Sequence, residues 1–169
     1  MKITAQEEYG LRCLLRLARQ PEGEPLTIPE IAASERLSSA YVAKLMHILR
    51  LAELVDSARG RSGGYTLARS ADEISLGQAL AVLGEPLFDD PGYCERHHGT
   101  DEAGSCVHTS DCAVRAVWRS LGDMITQVLD RVSLAELLSP ESAMEKFLST
   151  PSRIALPLSV AAPMQESRN

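Results

Sequence analysis

At 169 residues with 44% hydrophobic content, the chain can bury one sizeable core or two small ones, which excludes a wholly disordered protein. Aromatic residues make up only 4% of it, and no apolar run approaches the ~20 residues that span a bilayer, which excludes a membrane-spanning role. The net charge of -6 is unevenly spread: residues 1–69 hold ten Lys or Arg against eight Asp or Glu, residues 70–169 hold seven against fifteen, and residues 36–69 hold six against two. A modestly basic surface of the kind that suits DNA therefore sits early in an acidic chain.

From Glu7 to Arg19 the apolar residues Leu11, Leu14, Leu15 and Ala18 recur at helical spacing until Gln20-Pro21-Glu22-Gly23 ends the pattern, which predicts a first helix. Two acids, Glu7 and Glu8, stand where a signal peptide would carry its apolar stretch, so a cytoplasmic location is expected. Thr27 can cap a short second helix, with Pro29 in its first turn and Glu30 completing a capping box. Ser34 to Leu37 makes a turn, and Ser38 can cap a third helix with Val42, Leu45, Met46 and Leu49 on one face. Two short helices joined by a tight turn predict a helix-turn-helix.

The stretch Leu54-Val55-Asp56-Ser57, a glycine-rich loop bearing Arg59 and Arg61, and Tyr65-Thr66-Leu67 predict a two-stranded wing. Helical spacing returns over 73–83, is lost over 89–112, and resumes at Ala113 through Val114, Val117, Trp118, Leu121, Ile125, Val128 and Val132. A helix of roughly five turns with one apolar stripe is not stable alone. A second subunit is the economical partner, with Trp118, Leu121, Ile125 and Val128 in the seam. Beyond Leu138 the prolines Pro140, Pro151, Pro157 and Pro163 among many serines predict a flexible tail over 139–169.

The third helix leaves Ser39, Ala40, Ala43, Lys44 and His47 on its other side, with Tyr41 near its first turn. Hydroxyls and a lysine at a helix N-terminus suit phosphates and base edges, although a solvated helix face has the same pattern. Arg59 and Arg61 on a glycine-rich loop add a minor-groove contact to the helix-turn-helix and favour DNA as partner.

Of the four cysteines, Cys13 lies within the apolar pattern of the first helix and reads as core. Cys94, Cys106 and Cys112 are separated by eleven and five residues in the aperiodic segment. Three thiolates there suit an iron-sulfur cluster. Zinc is the competing reading, because His97, His98 and His108 could complete a tetrahedral site, and unligated surface thiols are the plain alternative.

Three strings in the chain carry a family pattern: Met-Lys-Ile-Thr with Tyr9-Gly10-Leu11-Arg12; Ile31-Ala32, Leu37-Ser38, Tyr41-Val42 and Leu45; and Arg59-Gly60 with Gly63-Gly64-Tyr65-Thr66-Leu67. Over about residues 1–132 the chain resembles the bacterial winged-helix iron-sulfur transcription regulators typified by IscR, NsrR and RirA. The resemblance implies a mainly α fold: a winged helix-turn-helix DNA-binding domain over 1–69, then a linker helix, a cluster-binding loop (89–112) and a dimerisation helix (113–132) within 70–138. It also implies a homodimer on a double-stranded operator, with DNA contacts at Ser39, Tyr41, Lys44 and Arg59, to which the wing reading adds Arg61.

The cofactor implied is an iron-sulfur cluster on Cys94, Cys106 and Cys112. Glu8 matches the position from which some members supply a carboxylate across the dimer, while Arg12, one turn later, cannot ligate. His97, His98 and His108 compete for that fourth position. Members with three cluster cysteines commonly have five residues in both gaps, so the longer first gap leaves a two-iron or a four-iron cluster open. Ala43 stands where some members carry glutamate, so their operator preference does not transfer. Two rivals remain: a winged-helix regulator using the thiols for zinc or a disulfide switch, and an electron carrier or cluster-assembly factor, which leaves the basic wing unexplained. No Ser-His-Asp, phosphate-loop or paired-carboxylate arrangement suggests an enzyme.

Overall fold

The structure is a computed structural model that describes residues 3–21, 23–58, 63–85 and 112–150. Helix α1 (Ala5–Ala18) begins at Thr4, whose hydroxyl accepts the Glu7 N–H at 3.2 Å while the Glu7 carboxylate accepts the Thr4 N–H at 2.7 Å. This reciprocal cap starts the helix two residues before the hydrophobic spacing indicates. Helix α2 (Ile28–Glu35) has the predicted Thr27–Glu30 capping box, with proline in its first turn. Helix α3 (Ser39–Leu51) begins at Ser38 as predicted. Between α2 and α3, Arg36 takes the left-handed conformation (φ 56°, ψ 42°), which turns the chain sharply.

Strands β1 (Val55–Ala58) and β2 (Gly64–Leu67) pair antiparallel from Val55↔Leu67 to Ala58↔Gly64. The sequence does not announce a third participant: Leu26 exchanges two backbone hydrogen bonds with Tyr65, at 3.0 and 2.8 Å, and ties the segment before α2 to the wing. Gly64 is needed there, since a Cβ would come 2.7 Å from the Leu26 carbonyl oxygen.

Helix α4 (Leu76–Leu83) starts three residues later than predicted, because Ser75 and Gln78 form a capping box and the chain just before it is used elsewhere. The Leu134 N–H donates to the Ile74 carbonyl at 2.9 Å, and the Leu76 N–H to the Val132 carbonyl at 2.7 Å. These bonds join the start of α4 to the chain that follows helix α5 (Ala113–Asp130). Helix α6 (Leu134–Leu137) follows at once. The flexible tail expected from residue 139 is corrected over its first part, where helix α7 (Glu141–Ser149) lies. Pro140 supplies an extended residue before the first turn, and the helix formers Ala143, Met144, Glu145, Lys146 and Leu148 outweigh the nearby serines. The rest of that expected tail, 151–169, lies outside the described residues.

The core forms where α1 packs on α3 and α4. Leu14, Val42, Leu45, Met46, Leu49, Ile74 and Leu134 are fully buried, together with Cys13. Burial pushes the Cys13 thiol up from 9.0 to about 12, with Glu35 raising it further and Arg12 opposing. Among the described residues no helix is long and apolar enough to cross a membrane.

Two outcomes follow from this packing. Gly64→Ala should lower the thermal midpoint by several degrees, because overpacking against backbone costs about 1–3 kcal/mol and each kcal/mol is roughly 2–4 °C for a chain of this size; an unchanged midpoint shows that the Leu26–Tyr65 bridge is dispensable. Cys13 should resist a thiol reagent at pH 8 in native protein whose other cysteines are serine, and react once unfolded. Because its folded pKa is raised, the stability linked to this thiol is complete below about pH 9 and falls as pH rises toward 12. Rapid native labelling, or stability flat across that alkaline range, contradicts the assignment.

Candidate nucleic-acid interface and cysteine-bearing segment

The first turn of α3 is built by Ser38, whose hydroxyl accepts the Tyr41 N–H at 3.2 Å. Val42, Leu45, Met46 and Leu49 turn inward and are buried. Ser39, Ala40, Lys44, His47 and Arg50 are thereby left exposed, with Ala43 and Tyr41 half-buried. No acidic residue occurs anywhere in α3, so its free N–H groups and Lys44 present one sign of charge. The expected contacts Ser39, Tyr41 and Lys44 thus occupy the exposed side and the first turns of one capped helix. Ala58↔Gly64 is the last pair of the wing ladder, and Arg59 and Arg61 lie outside the described residues.

A cluster spanning three helices surrounds that first turn. The Tyr41 ring meets the Tyr9 ring at 6.1 Å between centroids and 87° between planes. The Arg12 guanidinium lies 5.4 Å from the Tyr9 ring centroid. Its Nε donates to the Glu35 carboxylate at 2.9 Å, and a terminal nitrogen donates to the Glu35 carbonyl at 3.1 Å. From the sequence, Arg12 is part of the family pattern and a residue unable to ligate metal, with no sign of this role. Tyr9 and Arg12 are three apart and share a helix face, but nothing local shows that their partners are 23 and 32 residues away.

Of the cysteine-bearing segment, Cys112 is described, together with the chain that leads toward it as far as Glu85. At the end of α4, the Gln6 amide donates to the Leu83 carbonyl at 2.7 Å, and the Glu7 carboxylate fills the space where Gly84 would carry a side chain. Glu7 is buried while its neighbour Glu8 is exposed in the same turn. Cys112 is the N-cap of α5, half-buried, and its sulfur accepts the Arg115 N–H at 3.4 Å. Cys94, Cys106, His97, His98 and His108 lie outside the described residues. Among the described residues no three His, Cys, Asp or Glu side chains cluster as a metal site. What is described of the expected donor set fits an iron-sulfur group, since one sulfur already accepts a backbone N–H of the kind that tunes such clusters and the carboxylate is accessible.

Helix α5 has no buried residue, and Val114, Val117 and Leu121 expose apolar surface at positions i, i+3 and i+7.

Comparison with known proteins gives this arrangement a family. The chain is 37% identical over 137 residues to a Synechocystis protein named as an HTH-type transcriptional regulator, slr0846, covering 81% of this chain and 87% of that one. It is 28% identical over 145 residues to the HTH-type transcriptional regulator IscR of Escherichia coli, covering 86% and 85%. Among solved structures it is similar to CymR, the global cysteine regulator of B. subtilis, with a TM-score of 0.64 and 30% identity over 81% of this chain and 95% of that one. It is also similar to T. potens IscR, with a TM-score of 0.63 and 29% identity over 89% and 93%. These named relatives are regulators, not enzymes. Residues 3–140 match the Rrf2 family, described as iron-dependent transcriptional regulators, and the chain belongs to that family of DNA-binding winged-helix proteins.

Proposed function

We propose that the chain is a cytoplasmic, homodimeric transcription regulator whose affinity for a double-stranded operator follows an iron-sulfur cluster held by Cys94, Cys106 and Cys112 of one subunit and Glu8 of the partner subunit. The observation that carries the DNA-binding half is the exposed face of α3, capped by Ser38, free of acids and bearing Ser39 and Lys44 beside Tyr41. From there hydroxyl, ammonium and backbone donors reach phosphates and base edges in a major groove. Ala43 offers apolar contact, for example to a thymine methyl. Arg59 and Arg61, which fall between β1 and β2 in the sequence, meet the neighbouring minor groove.

The family description as iron-dependent supports the cluster half. When bound, such a cluster supplies a centre whose charge and ligation change on oxidation, nitrosylation or loss of iron. Cys112 donates its sulfur from the N-cap of α5, so ligation there is felt at the start of that helix. Gln6 and Glu7 clasp Leu83 and Gly84 within one subunit, and Glu8 in the same turn is free to reach another. A carboxylate is a harder ligand than a thiolate, so Glu8 would hold iron less firmly than the cysteines would. The exposed apolar stripe of α5 supports pairing with a second copy.

The deciding experiment is an anaerobic visible spectrum with iron and sulfide analysis, combined with selection of a duplex from a random pool before and after oxidation. A coloured protein with iron and sulfide, and an affinity that changes on oxidation, is expected. Serine at Cys94, Cys106 or Cys112 should abolish the absorption, serine at Cys13 should leave it, and Glu8→Ala should retain some cluster with an altered spectrum. A colourless zinc protein, or one with bare thiols, overturns the cluster reading and leaves the DNA-binding half standing. For the dimer, Leu121→Lys places a cation in the seam at a cost of several kcal/mol or so, and light scattering should report monomers or aggregates. A soluble native dimer moves the seam elsewhere.

A further inference from the structure

We propose that Tyr9 and Arg12 are positioning residues for sequence-specific DNA binding: from α1 they fix the first turn of α3 and so set how it meets base edges. The inference rests on the reading of α3 as the helix that enters the groove. Two separate constraints converge on that turn. The first runs through the backbone. Glu35 is the last residue of α2, and its carbonyl is one of those an α-helix leaves without a partner. Arg12 supplies that partner at 3.1 Å while also pairing with the Glu35 carboxylate, and a cation is favoured at that helix end. The next residue is the left-handed Arg36, a conformation unfavourable for a side-chain-bearing residue. Arg12 therefore anchors the chain immediately before the strained turn that aims Ser38 and α3.

The second constraint is a pair of ring contacts. Tyr9 has Arg12 over its ring at 5.4 Å, within cation-π range, and meets Tyr41 edge-to-face at 6.1 Å. Tyr41 is therefore held through its ring from α1 and through its N–H from Ser38. Neither constraint is what keeps the fold together. Cys13, Leu14 and Leu17 of α1 and Val42, Leu45, Met46 and Leu49 of α3 are buried in one apolar cluster beneath, whereas the Arg12 side chain is 40% exposed and its ion pair adds little to stability. The leverage is geometric. Helix α3 is about 20 Å long, so a tilt of about 5° about its middle moves the first turn by about 0.9 Å, enough to break a hydrogen bond to a base edge.

The test uses a duplex selected by the parent protein from a random pool and a random-sequence duplex of equal length. Tyr9→Leu is expected to lower affinity for the selected duplex about tenfold, the scale of one lost base contact, and for the random duplex less than twofold. Its salt slope should match the parent, because phosphate contacts are unchanged. Tyr9→Phe, which keeps the ring, should bind like the parent. The Tyr9→Leu/Tyr41→Leu double variant should be no worse than Tyr41→Leu alone, since coupled residues are not additive. Arg12→Lys should reproduce part of the loss, because an ammonium cannot hold both Glu35 oxygens and cover Tyr9. Arg12→Gln leaves the apolar core untouched and carries the same expectation if Tyr9→Leu fails to fold.

Lys44→Ala serves as the control on the underlying reading and should weaken both duplexes and reduce the salt slope by about one. If Lys44→Ala does so while Tyr9→Leu or Arg12→Gln leaves the selected-to-random ratio unchanged, the positioning role is overturned and α3 remains the DNA helix. Additive losses for Tyr9 and Tyr41, or equal losses on both duplexes, overturn it as well. If the parent selects no duplex, or Lys44→Ala changes neither affinity, the reading of α3 falls and takes the positioning role with it.

Discussion

The arrangement depends on the apolar burial of α1, which packs against α2, α3, α4, α6 and β2 together. Leu14 and Leu17 on its inner side meet the buried face of α3, and Gly10 lets Leu83 of α4 approach where a side chain would collide. Close contact on two sides leaves the rest of its surface for polar duties, and these are divided along its length. Its first turn grips the C-terminal end of α4, the next turn carries Tyr9 and Arg12 toward α2 and α3, and Glu8 alone in that stretch of polar residues is exposed. A helix locked by its core can hold such peripheral groups precisely because their positions cost little further ordering.

Much of this was legible in the sequence, for reasons that differ between elements. The caps at Thr27 and Ser38 are local chemistry, so the starts of α2 and α3 fall where Thr-x-x-Glu and a lone serine place them. The antiparallel wing pairs close to the expected strands because Val55 on one side and Tyr65 and Thr66 on the other, residues that favour strands, flank a glycine-rich loop. The start of α4 was misplaced because Ile74 has the right spacing for a helix but its carbonyl accepts from Leu134, sixty residues away. No periodicity can reveal such a partner. Likewise α7 was hidden by Pro140, which reads as a breaker from a distance and is a helix start in its actual place.

The candidate site divides along the same line. The exposure of Ser39 and Lys44 was legible because it follows from the opposite face being apolar. Cys13 was recognisable as core by the same reasoning and is fully buried. The Arg12–Glu35 pair and the Tyr9–Tyr41 contact were not, since both depend on how three helices cross rather than on any one of them. Glu7 and Glu8 make the point most sharply: two adjacent identical residues, one buried as a cap against Gly84 and one exposed, which only the rotation of α1 on its core can distinguish.

The backbone bonds between Ile74 and Leu134 and between Leu76 and Val132 have a consequence for how this chain opens. Ile74 and Leu134 are fully buried, so these bonds break only when the core does. Helix α5, which precedes them, contains no buried residue. Within one subunit, protection against local unfolding therefore falls along α5 from its pinned C-terminal end toward Cys112, and the first turn is the least costly part of the helix to melt. Ordering or releasing that turn exchanges free energy with whatever binds beside it, while the core shared by α1, α3, α4 and Leu134 stays closed.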